Sequence, residues 1–317
     1  MRRMPLLALL ALATPALATP ATAQKRDGTL RTVVMTAFPP EWAALEHSVA
    51  NPKVRKLNGL TFLTGTMAGK PVLLMQSGVS MVNAAMNTQL VLDHFRVKRI
   101  IFSGIAGGVD PGLGIGDVVV PADWGQYLEV SFARKTADGW VTPEPVDAEA
   151  PSNFGMMFPR GVRLGNAIDP VKRHYTLGVD PALLALARKV AAGVALKRCL
   201  ETPLAAATRE QMAAKPPRLD HQPRIVVGGT GVSAGVFADN AEFRDYLSAA
   251  YKAKVLDMES AAVVQVAYAN RTPVVVFRSL SDLAGGDAGA NQMGTFMALA
   301  SVNSAETVRA FVAALPD

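Results

Sequence analysis

Short apolar, β-branched runs alternate along this chain with longer segments whose apolar residues recur every three to four positions. These are the two periods of strands and of amphipathic helices. The short runs predict strands over 30–36 (LRTVVMT), 60–66, 70–76 (KPVLLMQ), 99–103 (RIIFS), 116–120 (GDVVV), 224–228 (RIVVG), 253–256 and 273–278 (PVVVFR). The longer period predicts helices over 40–49, 81–95, 181–195, 239–250, 258–270 and 295–314. Such alternation makes an α/β protein with a largely parallel or mixed sheet. Several strands run into glycine, acidic or hydroxyl residues, and the carboxyl edge of an open α/β sheet is where ligands bind.

Residues 121–223 interrupt the rhythm with prolines, charges and isolated aromatics, among them Trp124, Tyr127, Trp140, Phe154 and Phe158. They fit either a long insertion that lids the ligand site or a solvated elaboration. Insertions of this length usually have a role, so the lid is the expectation. The first residues, MRRMPLLALLALATPALATPATAQ, have a basic start, an apolar run and small residues before Gln24. That is the pattern of a secretory signal peptide over 1–23, and it predicts export to the periplasm or medium. The remaining 294 residues are enough for one large α/β domain or two smaller ones.

Charge and residue usage narrow the partners. Net charge falls from +6 to +4 once Arg2 and Arg3 leave with the leader. With 6% aromatics and no dense Lys/Arg block, that argues against a nucleic-acid partner. No later segment has the length and apolarity of a membrane span. Cys199 is the only cysteine, which excludes an intrachain disulfide and a cysteine-based metal site. His47, His94, His174 and His221 lack ligand spacing, so neither metal nor cofactor is expected.

Three acids each follow an apolar strand: Glu41 after RTVVMTAFPP, Glu259 after AKVLDM and Asp282 after TPVVVFRSLS. In a parallel sheet such strand ends converge, so distant acids can face one pocket. Each also has a plain structural reading. Asp257 and Glu259 stand where a helix begins and suit its cap and dipole, and Glu41 is an ordinary first-turn acid behind Pro39 and Pro40. The glycines of SGIAGGVDPGLGIGDVVVP (103–121) let backbone approach a ligand. They are no dinucleotide fingerprint, because Gly112, Gly114 and Gly116 have other spacing and lead into a strand.

That glycine segment, VLDMESAAVVQVAYANRTPVVVFRSLSDLAGGD (255–287) and VVMTAFPPEWAALE (33–46), in this layout, resemble the nucleoside phosphorylase superfamily. Within it they are most similar to 5′-methylthioadenosine/S-adenosylhomocysteine nucleosidases. GTGVSAGVFADNAEFRDYL (229–247) and SDLAGGD also resemble plant bark and vegetative storage proteins of the same fold. The resemblance covers about 30–120 and 224–314. It implies a three-layer αβα sandwich around a mixed, largely parallel sheet, built as a single domain over 24–317 with 121–223 inserted, and a homo-oligomer acting on a small nucleoside.

The resemblance also implies roles. Asp282 would protonate N7 of the departing purine, with Ser281 orienting its carboxyl group. Glu259 would accept the ribose hydroxyls, Met258 would pack on the sugar, and Glu41 would help activate water. Ala106 and Gly107 would line the base pocket. The chemistry suits this division, because cleavage of an N-glycosidic bond builds positive charge on the sugar and negative charge on the base. Asp282 then needs a raised pKa, whereas the helix start is expected to keep Glu259 charged.

Hydrolysis and phosphorolysis differ in what must be bound. Phosphate needs charge-assisted donors. TAFPPEW holds no arginine, Glu41 would repel phosphate, and Ile105 replaces the expected small hydroxyl residue, which favours water. The arginines left for a phosphorylase are Arg278 and, in the insertion, Arg160. Val232 and Ser233 stand where the nucleosidases hold an aromatic and an aliphatic residue against the purine, which predicts weaker stacking. Trp124, Phe154 and Phe158 are the candidates to replace it, from a neighbouring subunit as in the family. The alternatives are a phosphate-dependent phosphorylase and a nucleoside-binding or storage protein without turnover.

Overall fold

The computed structural model describes residues 27–201 and 217–316. The leader expected over 1–23 lies outside the described residues. In chain order, the central sheet contains β1 (Asp27–Thr36), β2 (Ala50–Leu57), β3 (Leu60–Met67), β4 (Lys70–Gln76), β5 (Phe95–Gly108), β6 (Val118–Val120), β7 (Asp123–Gln126), β8 (Leu177–Gly178), β9 (Ile225–Val227), β10 (Thr230–Ser233), β11 (Ala253–Asp257) and β12 (Val274–Asp282). The helices are α1 (Pro39–Ala43), α2 (Met81–His94), α3 (Pro181–Ala191), α4 (Ala241–Tyr251), α5 (Ser260–Ala269) and α6 (Met293–Ala314).

The strands run in the order β8-β7-β10-β11-β5-β1-β4-β3-β2, with β12 and β6 branching from β5 and β9 beyond them. β5 is the hinge of this arrangement. It pairs in parallel with β1 from Phe95 to Phe102 and with β12 from Ile100 to Gly107, while its end turns antiparallel to β11 through Gly107↔Leu256 and Gly108↔Val255. All nine residues of β12 are buried, as expected of a central strand covered on both faces. α1, α3 and α6 pack on one face and α2 and α5 on the other, giving three αβα layers around a mixed sheet.

α6 carries polar residues into that core because they meet open backbone groups. Asn303 donates to the carbonyls of Gly116 and Lys197 and accepts from the Lys197 amide. Ser304 bonds Ser103 Oγ at 2.8 Å and donates to the Phe277 carbonyl. These bonds tie the buried Asn303 and Ser304 side chains to backbone and hydroxyl groups of neighbouring segments.

Several boundaries differ from the periodic reading. β5 runs well beyond 99–103 at both ends, because pairing with β1 extends it back to Phe95 and pairing with β12 and β11 carries it on to Gly108. The helix expected over 40–49 stops at Ala43 and continues as a short 3-10 turn, Glu46–Ser48. β2 gave no apolar signal because it is an almost wholly exposed edge strand, and GTGVS of β10 lacks a run of large apolar residues. Residues 121–223 are not one insertion: β7, β8 and α3 belong to the central fold, and the elaboration between β7 and β8 forms small antiparallel pairs.

β10 is gripped by Trp124 of β7, which is 1% exposed. A Cβ on Gly231 would lie 2.7 Å from three atoms of its indole ring. We expect Gly231→Ala to destabilise the protein by about 1–3 kcal/mol through overpacking. Urea unfolding checks this, and an unchanged midpoint would contradict the packing.

Candidate active site

Six strand or loop ends converge on a cavity of about 230 Å³. Its wall takes Ala37, Phe38 and Glu41 from after β1, Val79 from after β4, Ile105, Ala106 and Gly107 from β5, and Val236, Phe237 and Ala238 from after β10. Leu256, Asp257, Met258 and Glu259 at the end of β11, Ser281 and Asp282 at the end of β12, and Met293 of α6 complete it. All three acids singled out in the sequence thus face one space.

Behind the cavity lies Arg278, fully buried, with its guanidinium carbon 4.1 Å from the centroid of the Phe102 ring. Asp257 meets it at 2.6 Å, Glu259 at 3.6 Å and Glu41 at 3.7 Å. Ser260 Oγ accepts from both Nε and Nη2. A Cβ on Gly104 would fall 1.9 Å from Arg278 Nη1 and 2.5 Å from Glu41 Oε1, so only glycine leaves room for this ion cluster. Removing one partner of such a buried pair typically costs about 3–5 kcal/mol, because the other charge is left uncompensated.

Asp257 is more than a cap. Its Oδ1 accepts from the amides of Glu259 and Ser260 and from Ser233 Oγ, which caps α5, while Oδ2 takes Arg278 and the Ser260 hydroxyl. Glu41 is held by the amides of Ala37 at 2.5 Å and Ile105 at 2.8 Å, and burial raises its pKa against the pull of Arg278. Asp282 accepts from Ser281 Oγ at 2.8 Å and from the Ala284 amide at 2.9 Å, and burial raises its pKa too.

Glu259 occupies the N-cap position of α5 without capping it, and its Oε1 accepts instead from the Ser80 amide at 2.8 Å. Ser80 delivers that amide from φ 81° and ψ 157°, a conformation nearly restricted to glycine and costing roughly 1–3 kcal/mol. The expectation that the helix start keeps Glu259 charged is overturned. Burial, then the neighbouring Asp257, push its carboxyl up to about 7.

Met258, Ser281, Ala106 and Gly107 all line the cavity, whereas Val232 and Ser233 do not. Val232 points into an apolar cluster with Tyr127, Leu247 and Tyr251, and Ser233 is spent on Asp257. No cavity-lining residue comes from 121–223, so the lid expectation is not met by the described residues. Trp124 is packed under β10 and Phe154 stacks on Phe243 and Tyr246. The aromatic rings in the wall are Phe38 and Phe237, which the sequence reading missed. Both lie just beyond strand ends, where the acids were sought. Arg160 is exposed and outside the wall, and Arg278 is committed to carboxylates.

A raised carboxyl makes the folded state bind its proton more tightly than the unfolded chain, so stability present at low pH is lost as pH rises through the folded value. For Glu259 that window runs from 4.5 to about 7. Glu259→Gln removes this slope. Its urea midpoint should therefore gain on wild type steadily between pH 4.5 and 7, and a difference independent of pH would contradict the assignment.

Comparison with known proteins places this geometry. A 5′-methylthioadenosine/S-adenosylhomocysteine nucleosidase of Pseudoalteromonas translucida is 27% identical over 279 residues, 88% of this chain and 95% of the relative. One of Mycobacterium bovis is 28% identical over 257 residues, 81% and 87% of the two chains. Among solved structures, the corresponding nucleosidase of Neisseria meningitidis in complex with methylthio-immucillin-A superposes with a TM-score of 0.63 at 23% identity, covering 90% of this chain and 99% of that one. Futalosine hydrolase of Helicobacter pylori gives 0.63 at 21%, covering 90% and 98%. The family model described as the phosphorylase superfamily matches residues 31–313, and the chain belongs to that superfamily.

Proposed function

We propose that this protein hydrolyses the N-glycosidic bond of a purine nucleoside and releases the free base, with 5′-methylthioadenosine and S-adenosylhomocysteine as first substrates. The observation that carries it is the placing of Glu41, Glu259 and Asp282 around one cavity, with Arg278 behind them held by carboxylates. Similarity to the curated nucleosidases supports the same reading.

Burial raises the Asp282 pKa and so favours the protonated form, which can give its proton to the base as the glycosidic electrons leave with it. Ribose hydroxyls donating to Glu259 favour its anion, which then steadies the cationic sugar. Glu41, anchored by two backbone amides, directs water to the anomeric carbon. Phosphate finds four acids in the wall and no basic side chain there among the described residues, which favours water over phosphorolysis. Val79, Val236, Phe237 and Met293 supply an apolar flank suited to a 5′-alkylthio group.

The leader-like 1–23 supports export, and an apolar collar supports a homo-oligomer. Val79, Val236 and Phe237 at the cavity and Val82 and Met86 farther along α2 are all exposed. Positions 82 and 86, four apart, share one face of α2, and Val79 stands just before that helix. A second copy seated there would shield this surface.

In phosphate-free buffer, purified protein should release adenine from 5′-methylthioadenosine, and Asp282→Asn should slow release by about a hundredfold or more. No release by wild type, undiminished release by the variant, or a strict need for phosphate would refute the proposal. Val82→Glu should shift the protein to monomers in light scattering, and an unshifted mass would remove the collar from the interface.

A further inference from the structure

The loop between β12 and α6 contains a side chain that none of the roles above uses. Asn291 is part-buried beside Asp282, and its amide orientation is settled by its neighbours. The Met293 amide donates to Asn291 Oδ1 at 2.9 Å, which leaves the Nδ2 hydrogens facing two carboxylates. One goes to Asp239 Oδ1 at 3.0 Å and the other to Asp282 Oδ1 at 3.4 Å. The Asp239 loop is itself tied to the Asp282 loop, because the Asn240 amide donates to the Ala284 carbonyl at 3.2 Å. Gly285, at φ 94°, fits against Asn240 where a Cβ would clash with its backbone.

We propose that Asn291 is a positioning residue for the general acid: its N–H stabilises the carboxylate that Asp282 becomes on giving up its proton, and Asp239 holds the amide in place. The inference rests on the reading of Asp282 as proton donor. In the step itself the Asp282 O–H bond breaks, its proton passes to N7, and the base departs with the glycosidic electron pair. Negative charge then appears on the carboxyl group. The contact to Oδ1 is long while Asp282 is neutral and strengthens as that charge develops, because a hydrogen bond to an ionised acceptor is the stronger kind. Ser281 and Ala284 donate to the same carboxyl, so Asn291 completes a set of three donors.

Other charged groups face Asp282 and are common to wild type and variants. Asp287 lies on its own loop, with Oδ2 on the Leu283 amide. Glu41, Asp257 and Glu259 stand across the cavity. Arg244 of α4 is held on the Gly108 carbonyl, and Arg278 is turned towards Asp257.

Asn291→Leu keeps the size and removes the donor. Asn291→Asp keeps an Oδ1 for the Met293 amide but faces Asp282 with a negative charge. Removing a donor to the charged form, or adding a like charge, raises the Asp282 pKa. In both variants we expect kcat to fall roughly tenfold with KM within about twofold, and the alkaline limb of the rate profile to move up by about half a pH unit or more. The limb should move farther in Asn291→Asp. Carbon-13 titration of aspartate carboxyls without substrate should show the same upward move for Asp282. If limb and titration stay at their wild-type positions in both Asn291 variants, the inference is overturned even where kcat falls, because a purely structural role lowers activity without moving a pKa. If wild type releases no base, the proposed function fails instead, and the carboxyl titration still decides for or against Asn291.

Discussion

The constraint on which the site depends is the burial of Arg278 among Glu41, Asp257 and Glu259. A guanidinium with no solvent contact needs paired charges, and those carboxylates come from the helix after β1 and from the junction of β11 with α5. The ion cluster therefore fixes the spacing of β1, β11 and β12 at their carboxyl edge. It also explains Gly104, where any side chain would displace the guanidinium or Glu41. One arginine faces three acids there; burial raises Glu41 against the pull of that arginine, and burial, then the negative charge of Asp257, raises Glu259.

That surplus of acids gives the cavity its character. Asp282 lies apart from the arginine and is raised mainly by burial, so it can donate a proton, while the acids nearer Arg278 are placed to meet positive charge. On the proposed reading, two environments divide carboxyl groups between different tasks. Strain contributes as well: Ser80 holds a backbone shape suited to glycine and so presents an amide to Glu259.

The same arrangement separates what binds from what supports. Val232 and Ser233 occupy a strand whose side chains are committed to an apolar cluster and to Asp257, so they reach the site only through other residues. Phe38 and Phe237, which flank the cavity, come from short segments leaving strands. Position just beyond a strand end, more than residue type alone, decides which side chains meet the cavity.

The sequence by itself determined the strands and helices that bury a continuous apolar face, since β1, β3, β4 and β12 and helices α2, α4 and α6 carry their period locally. It also placed the three acids at strand ends, and the motifs around them identified the superfamily. It did not reveal β2 and β10, whose residues are exposed or small and pair only because a neighbouring strand is present. Nor did it reveal that 121–223 splits between the sheet and small hairpins. The tertiary structure alone decided the charge state of Glu259, the commitment of Arg278 and the place of Asn291, because burial and the approach of groups far apart in sequence set these and no local pattern records them.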